Sequence, residues 1–378
     1  MKIIPYGKQY IDKSDIKAVS NALTKDKITT GEITLKFEQK IKNFLRCKYS
    51  ISCNSGTSAI FLALASIELK ENDIVIMPTI NFISSYNISK FFKAKVFLAD
   101  VDRFSGQMTP EDVINCCKKF NLKKVKAIIL MYNAGYPGNA ELFYKLKKKF
   151  NCYIIEDACH ALGAEYTFGN KNFKVGCCKH SDISTFSLHP LKTITTGEGG
   201  IVTTNSKKLY NKLYAIRSHG IKRLKNHWQY DIVCHGFNFR LNDFQCALGI
   251  SQLNKIKIFL KYRKKIANKY NEKLSKISGI HIPKNLKKYN SSNHLYIINL
   301  KKPSHKKKQK LFKFMLKSKI LLQYHYIPLH KFTVFKDKYI SNNAKKYHNS
   351  AISLPIFYKL SSKEQNYIIN RLNFFFSN

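Results

Sequence analysis

Residues 186–200 read Phe-Ser-Leu-His-Pro-Leu-Lys-Thr-Ile-Thr-Thr-Gly-Glu-Gly-Gly, and they give Lys192 a neighbourhood unlike that of most other lysines in the chain. An apolar, strand-like segment precedes this lysine, and a polar, glycine-rich turn follows it. A buried or half-buried amine loses proton affinity and becomes a nucleophile toward carbonyl groups. Taken alone, Lys192 is more simply interpreted as a loop lysine, because charged residues are mostly exposed. The choice depends on what the rest of the chain places beside it.

Short apolar runs alternate with helix-like stretches over residues 49–217. This alternation is typical of a largely parallel β-sheet with crossover helices, so the predicted fold class is α/β. The predicted strands cover residues 49–53, 74–77, 95–99, 127–132, 152–156, 183–187 and 200–204. The predicted helices cover residues 57–67, 84–92, 110–120, 140–150 and 206–217.

Residues 242–275 have a long helical pattern, which we interpret as a connecting helix. The pattern of predicted elements changes after this helix. Beyond Gly279, short predicted strands at 294–300 and 320–324 surround a predicted helix at 306–316. The chain is also longer than one ordinary domain. We therefore predict a large domain at residues 1–255, which includes an N-terminal segment, and a smaller C-terminal α+β domain at residues 256–378.

The chain has 66 Lys and Arg residues against 23 Asp and Glu residues, a formal net charge of +43. Strongly basic surfaces are one way in which proteins bind nucleic acid. The lysines are nevertheless scattered over nearly every segment, and no zinc-finger, basic-zipper or RNA-stacking motif accompanies even the densest run, residues 301–310. We interpret such lysines as solvated charges and expect no specific nucleic-acid partner, although a positive field favours an anionic substrate.

The cysteines and the apolar runs bear on the compartment of the protein. None of the ten cysteines has Cys-x-x-Cys spacing, so we expect reduced thiols and no metal site. No apolar run reaches the ~20 residues that span a bilayer, and the N-terminus turns polar too early for a signal peptide. The sequence predicts a soluble, cytoplasmic protein with no membrane partner.

Candidate functional residues follow three of the predicted strands, where ligands bind in open α/β sheets. The turn at residues 53–59 opens a helix and suits a phosphate, although a plain N-cap is the common alternative. Asp157 follows the fifth strand, a costly place for a carboxylate unless a cation meets it, and a helix N-cap is again the alternative. Ser187 ends the sixth strand, shortly before Lys192. A phosphate cradle, an acid for a protonated ring nitrogen and a nucleophilic lysine together describe a pyridoxal 5'-phosphate site.

Together with residues 236–245, Gly-Phe-Asn-Phe-Arg-Leu-Asn-Asp-Phe-Gln, these motifs resemble the DegT/DnrJ/EryC1/StrS sugar aminotransferases over essentially the whole chain. The resemblance implies the PLP-dependent transferase fold type I of aspartate aminotransferase, with a seven-stranded, mostly parallel sheet and a smaller C-terminal α+β domain. Further segments resemble the branch that aminates C4 of a UDP-linked 4-keto-6-deoxy-N-acetyl-hexosamine on the way to pseudaminic acid. These segments are residues 4–9, 28–31, 217–221, 291–296 and 323–328.

The resemblance implies roles for the residues around the cofactor ring. Lys192 would bind pyridoxal phosphate covalently and, once the amino donor displaces it, would carry the proton between the substrate carbon and the cofactor. Asp157 would pair with the pyridinium nitrogen, and His160 would lie beside the ring near its hydroxyl. Phe82 would pack on the ring face, although an aromatic residue is otherwise more often plain core.

The resemblance also implies an active site shared between two subunits. Gly56, Thr57 and Ser187 would hold the cofactor phosphate, and Asn238 would reach the phosphate of the neighbouring subunit's cofactor, so the functional unit would be a homodimer. Lys27 would meet the pyrophosphate of the substrate, although a loop lysine in so basic a chain is more often solvated. The positions that match the nucleotide-sugar pocket are Tyr6, Asp26, Lys27, Ile28, Thr29, Gln323, Tyr324, His325 and Tyr326.

Two departures from the family pattern leave the exact sugar open. Many relatives carry arginine shortly before residues 353–355, where this chain has Asn-Ser-Ala at 349–351, and His-Phe where Tyr132 and Asn133 stand. The hypothesis is that L-glutamate donates its amine to C4 of the UDP-linked ketosugar, giving UDP-4-amino-4,6-dideoxy-N-acetyl-β-L-altrosamine. Another nucleotide-sugar 3- or 4-aminotransferase is the alternative, whereas the related dehydratases carry histidine at the position of Lys192. A PLP-bound regulatory or nucleic-acid-binding protein is suggested only by the charge.

Overall fold

The computed structural model describes residues 2–226, 228–283, 288–335 and 341–377. The helices are α1 (Lys13–Leu23), α2 (Glu32–Leu45), α3 (Gly56–Ser66), α4 (Ser84–Phe91), α5 (Pro110–Lys119), α6 (Ala140–Phe150), α7 (Lys207–Arg217), α8 (Asp243–Asn254), α9 (Ile256–Leu274), α10 (His305–Lys317), α11 (Asn342–Ser350) and α12 (Ser362–Ser377). The strands are β1 (Tyr49–Cys53), β2 (Ile74–Pro78), β3 (Lys95–Ala99), β4 (Ala127–Met131), β5 (Tyr153–Asp157), β6 (Glu165–Phe168), β7 (Lys171–Lys174), β8 (Ile183–Ser187), β9 (Gly200–Thr204), β10 (Ile221–Arg223), β11 (Tyr230–Ile232), β12 (Ile280–His281), β13 (Tyr289–Asn290), β14 (Tyr296–Leu300) and β15 (Ala351–Leu354).

Seven strands form the central sheet in the order β1-β9-β8-β5-β4-β2-β3. The strands from β3 to β8 in this order are parallel to one another, whereas β9 runs antiparallel to both β8 and β1. The seven strands predicted from the sequence are these seven, with ends that agree to within one residue. The predicted α/β class with a mostly parallel sheet is confirmed. Because β1, β5 and β8 point the same way, the residues that follow them meet at one edge of the sheet.

The predicted helices of this region are present as α3 to α7. Helix α3 is the most deeply buried of them, because it packs against β8 and β9 on one side and against α4 and α7 on the other. Ala59, Leu62 and Leu64 on this helix are completely covered. Burial of a leucine side chain contributes about 1.5–3 kcal/mol. This packing holds the N-terminus of α3 firmly at the edge where the functional candidates meet.

The C-terminal part of the chain packs around helix α9. This helix, with α10 and α12, covers one layer formed by β14 and β15. Tyr270, Ile298, Leu311, Ile352 and Leu372 are completely buried in the resulting core. The helix predicted within residues 306–316 is α10, and the strand predicted within residues 294–300 is β14. The division of the chain into two domains at residue 255 stays a prediction.

The predicted connecting helix at residues 242–275 is wrong in one respect. It is broken into α8 and α9, which meet at Lys255. Helix α8 packs against α1 and α2, whereas α9 follows the C-terminal core, so each helix takes the direction of its own apolar partners. The Lys255 ammonium lies 2.6 Å from Asp15 Oδ2, which ties the junction to α1.

The predicted strand at residues 320–324 is also wrong. Leu321 donates its N–H to Ile4 O at 2.9 Å, whereas Gln323 donates to Ser353 O at 3.3 Å. The segment therefore divides its hydrogen bonds between the N-terminal segment and β15, and each contact is a single bridge. An extended segment with two different partners has no continuous ladder, although its apolar residues give it the sequence pattern of a strand.

The cysteines have free thiols, and eight of the ten are buried. Burial raises the pKa of the Cys53 and Cys152 thiols to about 12, so these groups are neutral and poor nucleophiles at physiological pH. Among the described helices, none combines the length and apolar character needed to cross a membrane.

Candidate active site

A cavity of about 560 Å³ opens at the edge where the carboxyl ends of the parallel strands meet. Its walls come from the turn between β1 and α3, the ends of β5 and β8, the loop that carries Lys192 and the segment 323–326. Residues that are far apart in the sequence are therefore brought together by the fold. The predicted site residues that line the cavity are Tyr6, Gly56, Thr57, Phe82, Asp157, His160, Ser187, Lys192, Gln323, Tyr324, His325 and Tyr326.

Lys192 lies in a loop that closes on itself directly after β8. Leu188 begins this loop, donating its N–H to Gly199 O at 2.8 Å and accepting from the N–H of Thr196 at 3.0 Å. Lys192 N–H donates to His189 O at 2.9 Å, which fixes the backbone from which the side chain enters the cavity. Burial lowers the pKa of the Lys192 amine, and electrostatic interactions with Cys159 and Asp157 act in the opposite direction. The amine is therefore more often neutral and nucleophilic than an exposed lysine amine.

Asp157 ends β5 and is only 3% exposed. Its carboxylate accepts the Cys159 N–H at 3.3 Å and the Ser85 hydroxyl at 3.5 Å, both long contacts. Among the described residues, no ammonium or guanidinium lies within ion-pair distance of it. Burial raises the pKa of Asp157, because the charged form is poorly solvated. A carboxylate held in this way has room for a cationic partner, and the protonated nitrogen of pyridoxal phosphate is such a partner.

The N-terminus of α3 forms the opposite end of the cavity. Ser55 caps the helix by accepting the Ser58 N–H at 3.0 Å, while Gly56 and Thr57 supply its first turn. A Cβ on Gly56 would lie 2.8 Å from Ser187 Cβ, so only glycine lets the helix approach the end of β8 this closely. Free N–H groups of a helix N-terminus bind phosphate well. The residues predicted to hold the cofactor phosphate therefore fit it.

His160 lies on the wall beside Asp157 and is 3% exposed. Its Nε2 and the Tyr326 hydroxyl are hydrogen-bonded at 2.9 Å, its Nδ1 has no partner among the described residues, and its ring lies 4.3 Å from that of His294. Burial, followed by the nearby charge of Lys192, holds the pKa of His160 well below its usual range. The imidazole is therefore neutral and has one nitrogen free for a ligand.

The N-terminal segment and residues 323–326 form an aromatic wall across the cavity. The Tyr6 ring lies 5.6 Å from that of His325, and the exposed Phe82 ring lies 5.9 Å from that of Tyr326. His325 Nδ1 and the Ser353 hydroxyl are hydrogen-bonded at 2.8 Å. Burial, followed by Lys192, lowers the pKa of His325 to about 3, so this ring is also neutral. Flat neutral rings of this kind suit stacking and hydrogen bonding to a sugar or a base.

Five predicted site residues lie away from the cavity of their own chain. Asn238 is exposed, and its side chain accepts the Arg240 N–H at 3.4 Å. The exposed loop at residues 26–29 contacts the start of α8, where Asp243 N–H donates to Ile28 O at 2.9 Å. The five predicted site residues that do not line the cavity of their own chain are Asp26, Lys27, Ile28, Thr29 and Asn238.

Sequence reasoning missed several residues of the cavity wall. Ser55 and Ser84 lie at the N-terminus of α3, and Cys159 and His294 lie near Asp157 and His160. Ser55 could have been found, because it belongs to the helix-opening turn already singled out. His294 precedes β14 in a different part of the fold, so no strand-end rule pointed to it.

The profile of the DegT/DnrJ/EryC1/StrS aminotransferase family matches residues 9–373. The chain belongs to this family. A Campylobacter jejuni relative within it, named UDP-4-amino-4,6-dideoxy-N-acetyl-beta-L-altrosamine transaminase, is 35% identical over 376 residues, which cover 98% of this chain and 96% of the relative.

Two solved structures of similar proteins agree with the family assignment. The Helicobacter pylori aminotransferase PseC, described as involved in the biosynthesis of pseudoaminic acid, matches with a TM-score of 0.92 and 30% identity over 100% of both chains. A Streptococcus pneumoniae protein solved in its PLP form matches with a TM-score of 0.90 and 25% identity over 99% of both chains. The chain is thus a pyridoxal-phosphate-dependent sugar aminotransferase with the fold of this family.

Proposed function

We propose that this enzyme transfers the amino group of L-glutamate to C4 of a UDP-linked 4-keto-6-deoxy-N-acetyl-hexosamine. The product would be UDP-4-amino-4,6-dideoxy-N-acetyl-β-L-altrosamine, an intermediate for pseudaminic acid. The observation that carries the proposal is that one cavity holds both a lysine of lowered pKa and a buried carboxylate with no ion-pair partner among the described residues. The name and near-complete coverage of the Campylobacter jejuni relative support the choice of sugar.

Each residue at the cofactor end has a proposed task. Asp157 would hold the ring nitrogen protonated, and the first turn of α3 with Ser187 would bind the phosphate. Bound pyridoxal phosphate supplies an electron-withdrawing ring that stabilises negative charge on the substrate carbon. Lys192 would first hold the cofactor and then, as a neutral amine, take and return the proton at the substrate carbon.

The substrate end of the cavity suits a nucleotide sugar. A volume of about 560 Å³ is in the usual range for a small-molecule site, and Tyr6, His325 and Tyr326 offer flat and polar groups. The net charge of +43 favours approach of an anionic pyrophosphate. We also propose that residues 26–29 and Asn238 serve the cavity of a second subunit in a homodimer, because they are exposed and lie outside their own cavity.

The identity of the sugar is tested by incubating the enzyme with L-glutamate and a panel of UDP-linked and GDP-linked 3-keto and 4-keto sugars. Mass spectrometry and NMR then identify the aminated carbon of the product. Amination at C4 of the UDP-linked 4-keto-6-deoxy-N-acetyl-hexosamine is the expected result. Amination at C3, or preference for another nucleotide sugar, would contradict this proposal and favour the alternative, another nucleotide-sugar 3- or 4-aminotransferase.

Replacement of Lys192 tests the chemistry itself. Lys192→Ala should lose the visible absorption of the lysine-bound cofactor and reduce turnover by at least about 10⁴-fold, because both the nucleophile and the proton carrier are removed. Absorption spectra and single-turnover assays with glutamate measure the two effects. Lys179→Ala, at an exposed lysine elsewhere in the chain, is the matched control and should change neither. Turnover by the Lys192→Ala protein near the wild-type rate would contradict the proposal.

The departure from the family pattern at Tyr132 and Asn133 does not add a residue to the described lining of the cavity. The Tyr132 hydroxyl donates to Glu156 Oε1 at 2.8 Å, and Asn133 Nδ2 donates to the Tyr347 hydroxyl at 2.8 Å. Both side chains are buried, and both make hydrogen bonds to other buried side chains. A 3-aminotransferase therefore gains no support from these two residues.

A further inference from the structure

Lys308 is a buried lysine in the middle of the lysine-rich run, and it is 1% exposed. Burial lowers the pKa of its amine to about 7, so the charged form predominates only below neutral pH. Its ammonium donates a hydrogen bond to His348 O and lies 3.9 Å from the centroid of the Tyr324 ring. No carboxylate among the described residues lies within ion-pair distance of it. Burial of a charge is unfavourable unless other groups replace the water around it. Here His348 O and the face of the Tyr324 ring replace the water around the ammonium.

Tyr324 is held by helix α10 through three side chains. The Lys308 ammonium faces its ring, Phe312 stacks on it with centroids 4.6 Å apart and planes 19° apart, and Gln309 Nε2 donates to its hydroxyl at 2.8 Å. Residues 308, 309 and 312 lie on one face of the helix. Tyr324 in turn lines the cavity, next to Gln323 and His325, whereas none of the three α10 residues does.

We propose that Lys308 is a positioning residue for the sugar substrate: through Tyr324 it fixes the segment 323–326 against the cavity. This inference rests on the proposed function, since it takes the wall formed by residues 323–326 as the sugar side. Asp157, Ser187 and the first turn of α3 belong to the central sheet and its edge, whereas α10 packs mainly against α11 and α12. Loss of Lys308 should therefore weaken sugar binding and leave the reaction with glutamate intact.

The test is a double-mutant cycle between Lys308→Met and Tyr324→Leu, with the nucleotide sugar that the wild-type enzyme aminates. At a pH below the Lys308 pKa of about 7, Lys308→Met should raise the KM for the sugar about tenfold with kcat within about twofold, as expected for loss of a desolvated cation–π contact. In the Tyr324→Leu background the same change should alter KM less than about twofold, because its partner is absent. The absorbance change on addition of glutamate alone should have the wild-type rate in the Lys308→Met variant.

Two further variants act as controls. Lys310→Met removes an exposed lysine from the same helix and should leave KM unchanged. Lys308→Arg keeps a cation over the ring and should recover most of the loss. If Lys308→Met does not fold, Lys308→Gln removes the charge and retains a donor for His348 O, and it takes the same place in the cycle.

Equal KM effects of Lys308→Met in the presence and absence of the Tyr324 ring would overturn the inference. So would a slower reaction with glutamate, since that would indicate a general loss of structure. Failure of the proposed function is a separate outcome: the wild-type enzyme would aminate a different nucleotide sugar from the panel. The cycle would then be measured with that sugar, and its result would still decide the role of Lys308.

Discussion

At the scale of single residues, Asp157 shows how the site departs from what stability alone would favour. Its carboxylate is buried with two long hydrogen bonds and no ion pair among the described residues, and burial raises its pKa. A carboxyl group with a raised pKa in the folded state contributes stability at pH values below its unfolded pKa. That contribution is lost as the pH rises through the folded pKa. Ionisation of Asp157 is therefore unfavourable in the cofactor-free protein, and a bound pyridinium would relieve that cost.

Asp157→Asn should separate this effect from catalysis. The cofactor-free variant should be at least as stable as the cofactor-free wild type at pH 7, with a Tm less dependent on pH above 4, because the buried charge is gone. Its stabilisation by added pyridoxal phosphate should be smaller, and its activity should fall about 10²–10⁴-fold. Calorimetry with and without the cofactor measures the stability terms. A variant whose cofactor-free form is much less stable than wild type would show that the carboxylate is structural.

At the scale of elements, helix α1 illustrates how local chemistry and a distant contact combine. Asp12 caps α1 by accepting the N–H groups of Ser14 and Asp15 at 3.0 and 3.2 Å, and the Lys255 ammonium lies 2.9 Å from its carboxylate. The hydrogen bond from the Ser14 hydroxyl, followed by that from Lys255, holds the pKa of Asp12 below its ordinary value of 3.8. The cap therefore joins α1 to the junction between α8 and α9.

Asp12→Ala should lower stability by about 1 kcal/mol, the usual value of an N-cap, which corresponds to a fall of about 1–2 °C in Tm for a chain of this length. Because the folded pKa is depressed, the contribution of the charge is present above pH 3.8 and is lost as the pH falls through the folded pKa. Asp12→Asn keeps a capping oxygen and should retain most of the stability at pH 7. Calorimetry of both variants against pH tests this, and equal losses in both would assign the effect to the ion pair.

The sequence predicted the positions of helices and strands correctly where they depend on the apolar pattern of neighbouring residues. The seven strands of the central sheet and helices α3 to α7 follow apolar patterns of a few neighbouring residues. It was a poor guide where an element has two partners, as at residues 320–324, or changes direction at a junction, as at Lys255. In those places, different distant segments contact different parts of the element, and no local pattern records the outcome.

At the scale of the whole molecule, the exposed residues outside the cavity point toward assembly. Asn238 is exposed, and nearby exposed apolar side chains include Tyr230, Ile232, Val233 and Phe237. Exposed apolar side chains close together in the chain are one sign of a protein–protein contact. It fits the proposed homodimer, in which Asn238 of one subunit would serve the cavity of the other.

Mixing of two inactive variants tests the shared site. If Lys192 and Asn238 of different chains form one site, then Lys192→Ala and Asn238→Asp should each be inactive, and an equimolar mixture of the two should regain about a quarter of the wild-type activity. Half of the random dimers would carry one variant of each kind, and one of their two sites would contain both native residues. Activity assays after refolding of equimolar mixtures, with size-exclusion chromatography and light scattering, measure this. If no activity returns although mixed dimers form, each site is built from one chain.

The sequence by itself determined the strands of the sheet, the residues that follow them and the family, because these depend on neighbouring residues and short motifs. Only the tertiary structure decided which candidates share a cavity: it gathered Asp157, Ser187 and Lys192 and left residues 26–29 and Asn238 outside. It also buried Lys308, although the sequence of residues 301–310 suggested a solvated run. The physical reason is that burial, pKa and ion pairing are set by packing between segments far apart in the chain, and the free energy of that packing has no local signature.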